Sequence, residues 1–330
     1  MKPTFAIIGC GRIAARHAEQ IVKPGILSAV CDIVKEKAEA LGALYNARVY
    51  YSIDDLLENE KPDVVSICTP NGLHAEHSIK ALNAGFNVLC EKPLCIRVAD
   101  GKKMIEAALK ADRQLFVVKQ NRYNPPIVFL KQLIDSGKLG RIFSFQINCF
   151  WNRPDAYYKD WKGKKDLDGG TLYTQFSHFI DLMYWLLGDV ADVEKMTRNY
   201  NHETIEFEDT GGVLFRLKSG AIGTLNYTVN TFAQNMEGSF TVFGEKGTVK
   251  VGGQYLNELD YCNVEGVEMP VLPAGNPANG YGFYRGSMSN HDKVYENLVH
   301  ALTKPHHDLA NGEDGLKTVE IIERIYNQKN

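Results

Sequence analysis

The sequence has no apolar run approaching the roughly 18 residues that span a bilayer, no internal repeat and no low-complexity stretch. It also lacks a charge excess of either sign: 37 Lys and Arg face 40 Asp and Glu, a net charge of −3. Nothing in that balance points to nucleic acid. No C-x-x-C occurs among its seven cysteines, an odd number. Cys10, Cys31, Cys68 and Cys90 lie in or at the ends of apolar runs. They read as buried, reduced thiols, the state expected in the cytoplasm. The opening MKPTFAIIGCGR has no charged segment followed by a long apolar one, so no signal peptide is expected. A cytoplasmic protein with no membrane or nucleic-acid partner is the expectation.

What is present is an ordinary globular composition, 44% hydrophobic and 23% charged over 330 residues. That length suggests two domains of roughly 150 residues, each able to bury a core without staples. In the first part, strand-length apolar runs at 4–8, 27–31, 64–68, 86–90 and 115–118, with a shorter one near 48–51, alternate with helical spacing at 12–22, 34–42, 53–59, 74–84 and 97–111. Strands apolar on both faces and separated by helices predict a doubly wound parallel sheet.

After about residue 138 the pattern changes. Residues 142–151, 212–218, 221–229 and 239–251 alternate, as half-buried antiparallel strands do, with Ser-Gly and Glu-Lys-Gly as hairpin signals. One long helix over 171–187 and two more near 290–303 and 314–328 complete the pattern. The fold class expected is α/β: a dinucleotide-binding domain over 1–122, then an α+β domain over 123–330 on a large, mostly antiparallel open sheet. The C-terminal helices are candidates to pack back on the first domain.

Gly9-Cys10-Gly11-Arg12-Ile13-Ala14 is G-x-G-x-x-A between a strand and a helix. The first glycine permits the tight turn and the second lets backbone approach a pyrophosphate. The small third residue allows close helix–strand packing. The helix start then offers N–H groups and positive dipole to phosphate. Asp32 ends the second strand 18 residues beyond Ala14. A carboxylate there accepts from ribose hydroxyls and repels a 2′-phosphate, which selects NAD over NADP. Without these flanks, a structural glycine turn and an incidental acid would explain the same residues.

Two further loops, Thr69-Pro70-Asn71-Gly72-Leu73-His74 and Glu91-Lys92-Pro93-Leu94, stand at carboxyl ends of strands, where such sheets bind ligands. His74 and His77 are three apart with no third ligand nearby, so they mark a helix start rather than zinc. Lys92 precedes a proline, and a cis bond there would aim it off the strand end; elsewhere an isolated lysine is a solvated charge. The pair His306-His307 with Asp308 reads as a loop.

These residues resemble the glucose–fructose oxidoreductase/inositol dehydrogenase family over nearly the whole chain. The likeness rests on GCGRIA with His17, on TPNGLH, on EKPL and on the stretch from Asp168-Gly169-Gly170 through His178 to Asp181. It implies a Rossmann domain with an α+β domain whose open sheet joins copies into dimers or tetramers, and catalysis by Lys92 and His178. Many members carry an aspartate four residues before that histidine; here Thr174 stands there. A threonine cannot hold charge or relay a proton as a carboxylate does, which weighs against plain polyol oxidation.

Within the family, Lys119 through Asn124, Trp151-Asn152-Arg153-Pro154, Tyr157-Tyr158 with Trp161, Arg285-Gly286-Ser287 and Asn290-His291-Asp292 resemble the 3-dehydrogenases of UDP-linked N-acetylamino uronic acids. Those enzymes make precursors of bacterial surface polysaccharide. The resemblance places NAD contacts at Gly9, Gly11, Arg12, Ile13, Asp32, Thr69, Pro70, Asn71, His74, Glu91, Lys92 and Asn121. It places UDP-sugar contacts at Lys92, Gln120, Arg153, Tyr157, Tyr158, Thr174, Gln175, His178, Asn290 and His291. No metal site is expected.

The chemistry suits these residues. Oxidising a secondary alcohol needs a hydride acceptor and a base. A histidine titrates ordinarily near ~6.5, and a lysine can donate to a developing alkoxide or, shifted down by burial and a neighbouring cation, act as the base itself. Both assignments stand. Segment 151–165 joins four aromatics to five basic residues and two acids, a composition that stacks a base and neutralises a diphosphate; the bland alternative is an exposed lysine-rich loop. Two other functions remain in view: a dehydrogenase of a free sugar, inositol or sugar phosphate, and a non-catalytic NAD-binding sensor, which would have no need of Lys92 and His178.

Overall fold

The computed structural model describes residues 2–282, 284–304 and 309–328; His306, His307 and Asp308 lie outside them. In chain order the elements are β1 (Thr4–Ile8), α1 (Arg12–Ile21), β2 (Ile26–Cys31), α2 (Lys35–Tyr45), β3 (Arg48–Tyr50), α3 (Ile53–Asn59), β4 (Val64–Ile67), α4 (His74–Asn83), β5 (Asn87–Cys90), α5 (Val98–Ala111) and β6 (Leu115–Val117). Then follow α6 (Pro125–Asp135), β7 (Ile142–Phe150), α7 (Lys165–Asp168), α8 (Thr171–Thr174), α9 (Ser177–Leu187), β8 (Val190–Arg198), β9 (Thr210–Leu217) and β10 (Ile222–Thr228). The chain closes with β11 (Glu237–Gly244), β12 (Gly247–Gly252), β13 (Glu258–Val264), β14 (Ala278–Gly280), β15 (Arg285–Met288), α10 (His291–Ala301) and α11 (Gly312–Tyr326).

These elements form two compact units. The first holds residues 1–119, 166–169 and 291–320; the second holds 120–165, 170–290 and 321–330.

In the first unit six parallel strands run in the order β3-β2-β1-β4-β5-β6. That is the order of a dinucleotide-binding sheet, with β1 and β4 side by side where the order reverses. Both faces are covered, so β1 and β4 are buried along almost their whole length. Alternation is therefore absent from these strands. Residues 310–320 complete this unit: Val117 N–H donates to Ala310 O at 3.0 Å, and a Cβ at Gly101 in α5 would lie 2.8 Å from the Leu316 side chain.

In the second unit a seven-stranded sheet runs β13-β12-β11-β7-β10-β9-β8. All neighbours are antiparallel except β7 and β10. One face buries Phe145, Ile147, Phe215, Leu225, Tyr227 and Phe240, with Phe179 and Ile180 of α9 in the same core. The other face is exposed at Leu214 and Ile222. Two expected elements are divided. The apolar stretch 171–187 is interrupted between α8 and α9. Residues 239–251 form parts of β11 and β12 around the Glu245-Lys246 turn.

Candidate active site

In the first unit the glycine turn is built as its spacing requires. Gly9 has φ +93, and a Cβ there would stand 2.7 Å from the carbonyl carbon of Cys68. Any side chain would push the end of β4 away. A Cβ at Gly11 would meet nothing within 4 Å, so this position opens onto free space. Gly11 is the N-cap of α1, and no side chain caps that helix. Asp32, just past β2, accepts the N–H of Cys10 at 2.7 Å and of Val34 at 2.8 Å. Its carboxylate thus braces the glycine turn as well as standing where a ribose would lie. An open glycine, an uncapped helix start beside Arg12 and Ile13, and a carboxylate at the next strand end fit a dinucleotide.

The other two loops are stapled together. Each ring nitrogen of His74 faces a carbonyl: Nδ1 that of Pro93 at 2.7 Å and Nε2 that of Thr69 at 2.9 Å. Burial pulls its pKa below the ordinary value, against those carbonyls and Glu91, which pull the other way. Asn71 donates to Asp168 O at 2.8 Å. At Gly72 a Cβ would fall 2.1 Å from Asp166 O, so only glycine fits. His77 hydrogen-bonds Thr69 Oγ1 at 3.0 Å, and Pro70 turns the chain into the short helix before α4. The Lys92–Pro93 peptide is cis.

Glu91 is buried. His17 Nε2 donates to its Oε1 at 2.7 Å and His291 Nε2 to the same oxygen at 3.2 Å. The backbone N–H of Lys92 donates to Oε2 at 3.0 Å. Burial works to raise this carboxyl's pKa, but the bonds from the two histidines outweigh it and hold it well below the usual range. His291, expected to touch substrate, thus bonds to Glu91.

In the second unit His178 is the second residue of α9, 3% exposed. Gln120 Nε2 lies 3.1 Å from His178 Nε2. An amide nitrogen only donates, so in this amide orientation His178 Nε2 accepts and the ring proton sits on Nδ1. Gln120 Oε1 and Asn121 Oδ1 are buried with no hydrogen-bond partner among the described residues. Such orphaned acceptors each cost about 1–3 kcal/mol unless a ligand or water donates to them. Asn290 is fully engaged: it donates to Gln120 O at 3.1 Å and Asn124 Oδ1 at 2.7 Å, and accepts from Asn276 at 3.2 Å. It holds the backbone of Gln120 in place.

Arg153 is 2% exposed. Its Nε donates to Gln175 Oε1 at 2.7 Å, and Nη1 to Asn152 O at 2.6 Å and Asn235 Oδ1 at 3.1 Å. Its guanidinium lies over the rings of Trp151, Tyr157 and Tyr284, 5.0 to 5.4 Å from their centroids. Gln175 continues the chain by donating to Tyr157 Oη at 2.7 Å. Tyr158 packs edge-on against His202, whose Nε2 donates to Arg153 O at 2.7 Å. No carboxylate pairs with Arg153 among the described residues. A cavity of about 310 Å³ opens here, lined by Asn152, Arg153, His202 and Asn230 among others. Thr174, in the aspartate's place, is half-buried at the end of α8.

Sequence reasoning found Arg153, Tyr157 and Gln175 but not Asn235, His202 and Tyr284, which come from three separate loops. It also passed over the buried pair Arg122–Asp181, joined by two bonds of 2.8 and 2.9 Å. The Glu91 network escaped because His17 and His291 lie 74 and 200 residues away.

A parallel sheet with this turn at its first strand, joined to an open antiparallel sheet, defines a two-unit nicotinamide-dinucleotide oxidoreductase. The profile described as "Oxidoreductase family, NAD-binding Rossmann fold" matches residues 4–119, and that of the "GFO/IDH/MocA C-terminal domain" matches 127–250. The chain belongs to the GFO/IDH/MocA oxidoreductase family, and its cofactor is NAD. It is similar to the WlbA dehydrogenase of Bordetella pertussis, solved with NADH and UDP-GlcNAcA: 36% identical, TM-score 0.88, covering 99% of this chain and 96% of that one. The WlbA dehydrogenase of Chromobacterium violaceum, solved with the same two ligands, is 36% identical with a TM-score of 0.90, covering 98% and 93%. Inositol 2-dehydrogenase of Salmonella typhimurium is 30% identical over 74% of this chain and 72% of its own length.

Proposed function

We propose that the protein oxidises a secondary hydroxyl, at C3, of a UDP-linked N-acetylamino uronic acid, in the making of bacterial surface-polysaccharide precursors. The observation that carries this is Arg153: a buried cation, boxed by aromatics, with no carboxylate to balance it among the described residues. A buried guanidinium is costly to leave unpaired, and an anionic ligand removes that cost by charge-assisted hydrogen bonds. A uronate or diphosphate supplies the charge; inositol and free sugars do not. UDP-GlcNAcA bound to relatives 36% identical supports the same reading.

NAD supplies the hydride acceptor. The residues of this chain handle the proton. Lys92 and His178 are the catalytic pair: one takes the hydroxyl proton as hydride leaves the carbon, and the other donates to the oxygen while it carries charge. His178 Nε2, accepting from Gln120 in that amide orientation, presents the lone pair a base requires. Gln175 and Tyr157 orient Arg153. The exposed Leu214 and Ile222 on the open sheet support assembly into a dimer or tetramer through that face.

The test is NADH formation against a panel of UDP-GlcNAcA, UDP-GlcNAc, myo-inositol and glucose. Turnover is expected with the uronate alone. Arg153→Met should raise its KM by about 10- to 100-fold, the worth of a charge-assisted bond. Turnover of myo-inositol with none of UDP-sugars would reverse the assignment to a polyol dehydrogenase, the second reading, which the inositol dehydrogenase relatives favour. Binding of NAD with no redox chemistry on any sugar would make the protein a sensor.

A further inference from the structure

The EKP lysine stands on a buried hydrogen-bond chain that runs across three elements of the first unit. We propose that the Glu91 carboxylate, anchored by His17 and His291, is the positioning group for Lys92: it fixes the lysine's backbone through the Lys92 N–H and supplies the fixed negative charge beside it. The inference rests on the reading of Lys92 as catalytic.

The proton positions follow from the distances. His17 is fully buried, and burial pulls its pKa below the ordinary value despite the opposing pull of Glu91. Neutral His17 donates from Nε2 to Glu91, so its Nδ1 must accept, and the Tyr295 hydroxyl 2.7 Å away must be the donor. Tyr295 Oη then accepts from Ser66 Oγ at 2.9 Å. Every hydrogen bond therefore points the same way, from Ser66 through Tyr295 and His17 to the carboxylate. His291 Nε2 adds a second donor to the same oxygen.

The three acid and imidazole side chains lie close enough together to suggest a metal site. The 2.7 Å between His17 Nε2 and Glu91 Oε1 argues otherwise. Ligand atoms bound at about 2.0–2.1 Å to one tetrahedral zinc stand roughly 3.3 Å apart, whereas 2.7 Å is a hydrogen bond.

Among the described residues, two thiols, a phenol and an imidazole that face Glu91 carry no compensating charge. Cys68 beyond β4 and Cys90 on β5 have thiols pushed well up by burial. Tyr295 on α10 is likewise pushed up, and His74 on α4, which also faces Lys92, is pulled down. The Glu91 carboxyl is held ionised by its donors, with Lys92 next to it in the chain. A role confined to stability would need the hydrogen bonds but not the charge.

The experiment separates the two. In the NAD-loaded protein, the pH dependence of Lys92 acetylation by acetic anhydride, read by peptide mass spectrometry, reports the lysine without requiring turnover. In Glu91→Gln the midpoint should fall by about one pH unit, the effect of removing one nearby charge at intermediate dielectric. The Lys92 limb of the kcat–pH profile should move with it, whichever proton role Lys92 has. His291→Leu, which leaves the carboxylate in place, should shift the midpoint in the same direction by less. His17→Gln, which keeps a donor for Oε1, should restore what His17→Leu loses. An unchanged midpoint in Glu91→Gln and His291→Leu, with only Tm lowered, overturns the proposal. So does a stoichiometric metal whose removal by chelator abolishes activity. A shifted midpoint in a protein that oxidises no sugar supports the positioning role and sinks the catalytic reading instead.

Discussion

Glu91 in the first unit and Glu208 in the second are both buried, and the two are treated in opposite ways. Glu91 in the first unit receives three N–H donors and stays a carboxylate. Glu208 in the second unit receives two hydroxyls, from Tyr326 at 2.8 Å and Tyr227 at 3.0 Å. There burial prevails over those bonds, and its pKa is pushed from 4.5 up to about 7. Similar burial thus yields an anion in one place and a group poised to hold its proton in the other. Donor type and number decide the outcome. The same second unit leaves Arg153 cationic with no acid partner among the described residues, whereas Arg122, also buried, is matched by Asp181. Among the described residues, one buried arginine has an acid partner and the other has only neutral hydrogen-bond acceptors.

The largest expected effect comes from removing the first acid altogether. Glu91→Ala strips the acceptor from His17, His291 and the Lys92 amide at once. Orphaned buried donors cost about 1–3 kcal/mol each, with relaxation reclaiming part. Urea denaturation of the NAD-free protein should show a loss on the order of 3–5 kcal/mol. A loss under about 1 kcal/mol would mean the donors find water, and the contrast with Glu208 would disappear.

The next effect has a sign that depends on pH. A carboxyl whose pKa is raised in the fold contributes stability that is complete below its unfolded pKa and is lost as pH rises through the folded one. For Glu208 that window runs from 4.5 to about 7. The displacement corresponds to about 3 kcal/mol at pH 8. Glu208→Gln mimics the protonated acid, so it should match wild type near pH 4.5 and exceed it by about 2–3 kcal/mol at pH 8. Equal stability of the two proteins at pH 8, measured by urea melts, would show that Glu208 ionises freely.

In the first unit the slope is reversed. His17 and His74 have pKa values lowered by burial. Their contribution is present above the ordinary histidine value and is lost as pH falls below it, because the unfolded chain then binds protons the fold refuses. Amide hydrogen exchange between pH 7 and 5 should therefore show protection falling in α1 and α4. Changes of the same sign and size in β9 and β10 would erase the difference between the units.

How much of this was legible beforehand depended on whether the signal was local. The glycine turn, Asp32 and the parallel strands could be read because each feature lies within a short window and its spacing carries the geometry. β8 escaped because a bulge between Val190 and Asp192 breaks its alternation. β13, at the sheet edge, is mostly exposed or half-exposed and also carries a bulge. The split between α8 and α9 falls at Gln175-Phe176, with no glycine or proline to mark it. The α6 start was marked, by Asn124 before Pro125 at the first helical position, and was passed over. At the site, Arg153 was legible from its aromatic neighbours in sequence. That it lacks a counter-acid among the described residues could not be read, since absence of a partner is a property of three dimensions.

The smallest effect tests whether burial is what makes these charges matter. Arg16 and Glu19, on the same helix as His17, form an ion pair of 3.0 Å with 35% and 48% of their side chains exposed. Water screens such a pair, and holding two long side chains in one geometry offsets most of the attraction. Glu19→Ala should change the unfolding free energy by less than about 0.5 kcal/mol, and that difference should vanish in high salt. A change comparable to that of Glu91→Ala would show that the helix responds to charge wherever it lies. The contrast between Glu91 and Glu208 would then owe nothing to burial.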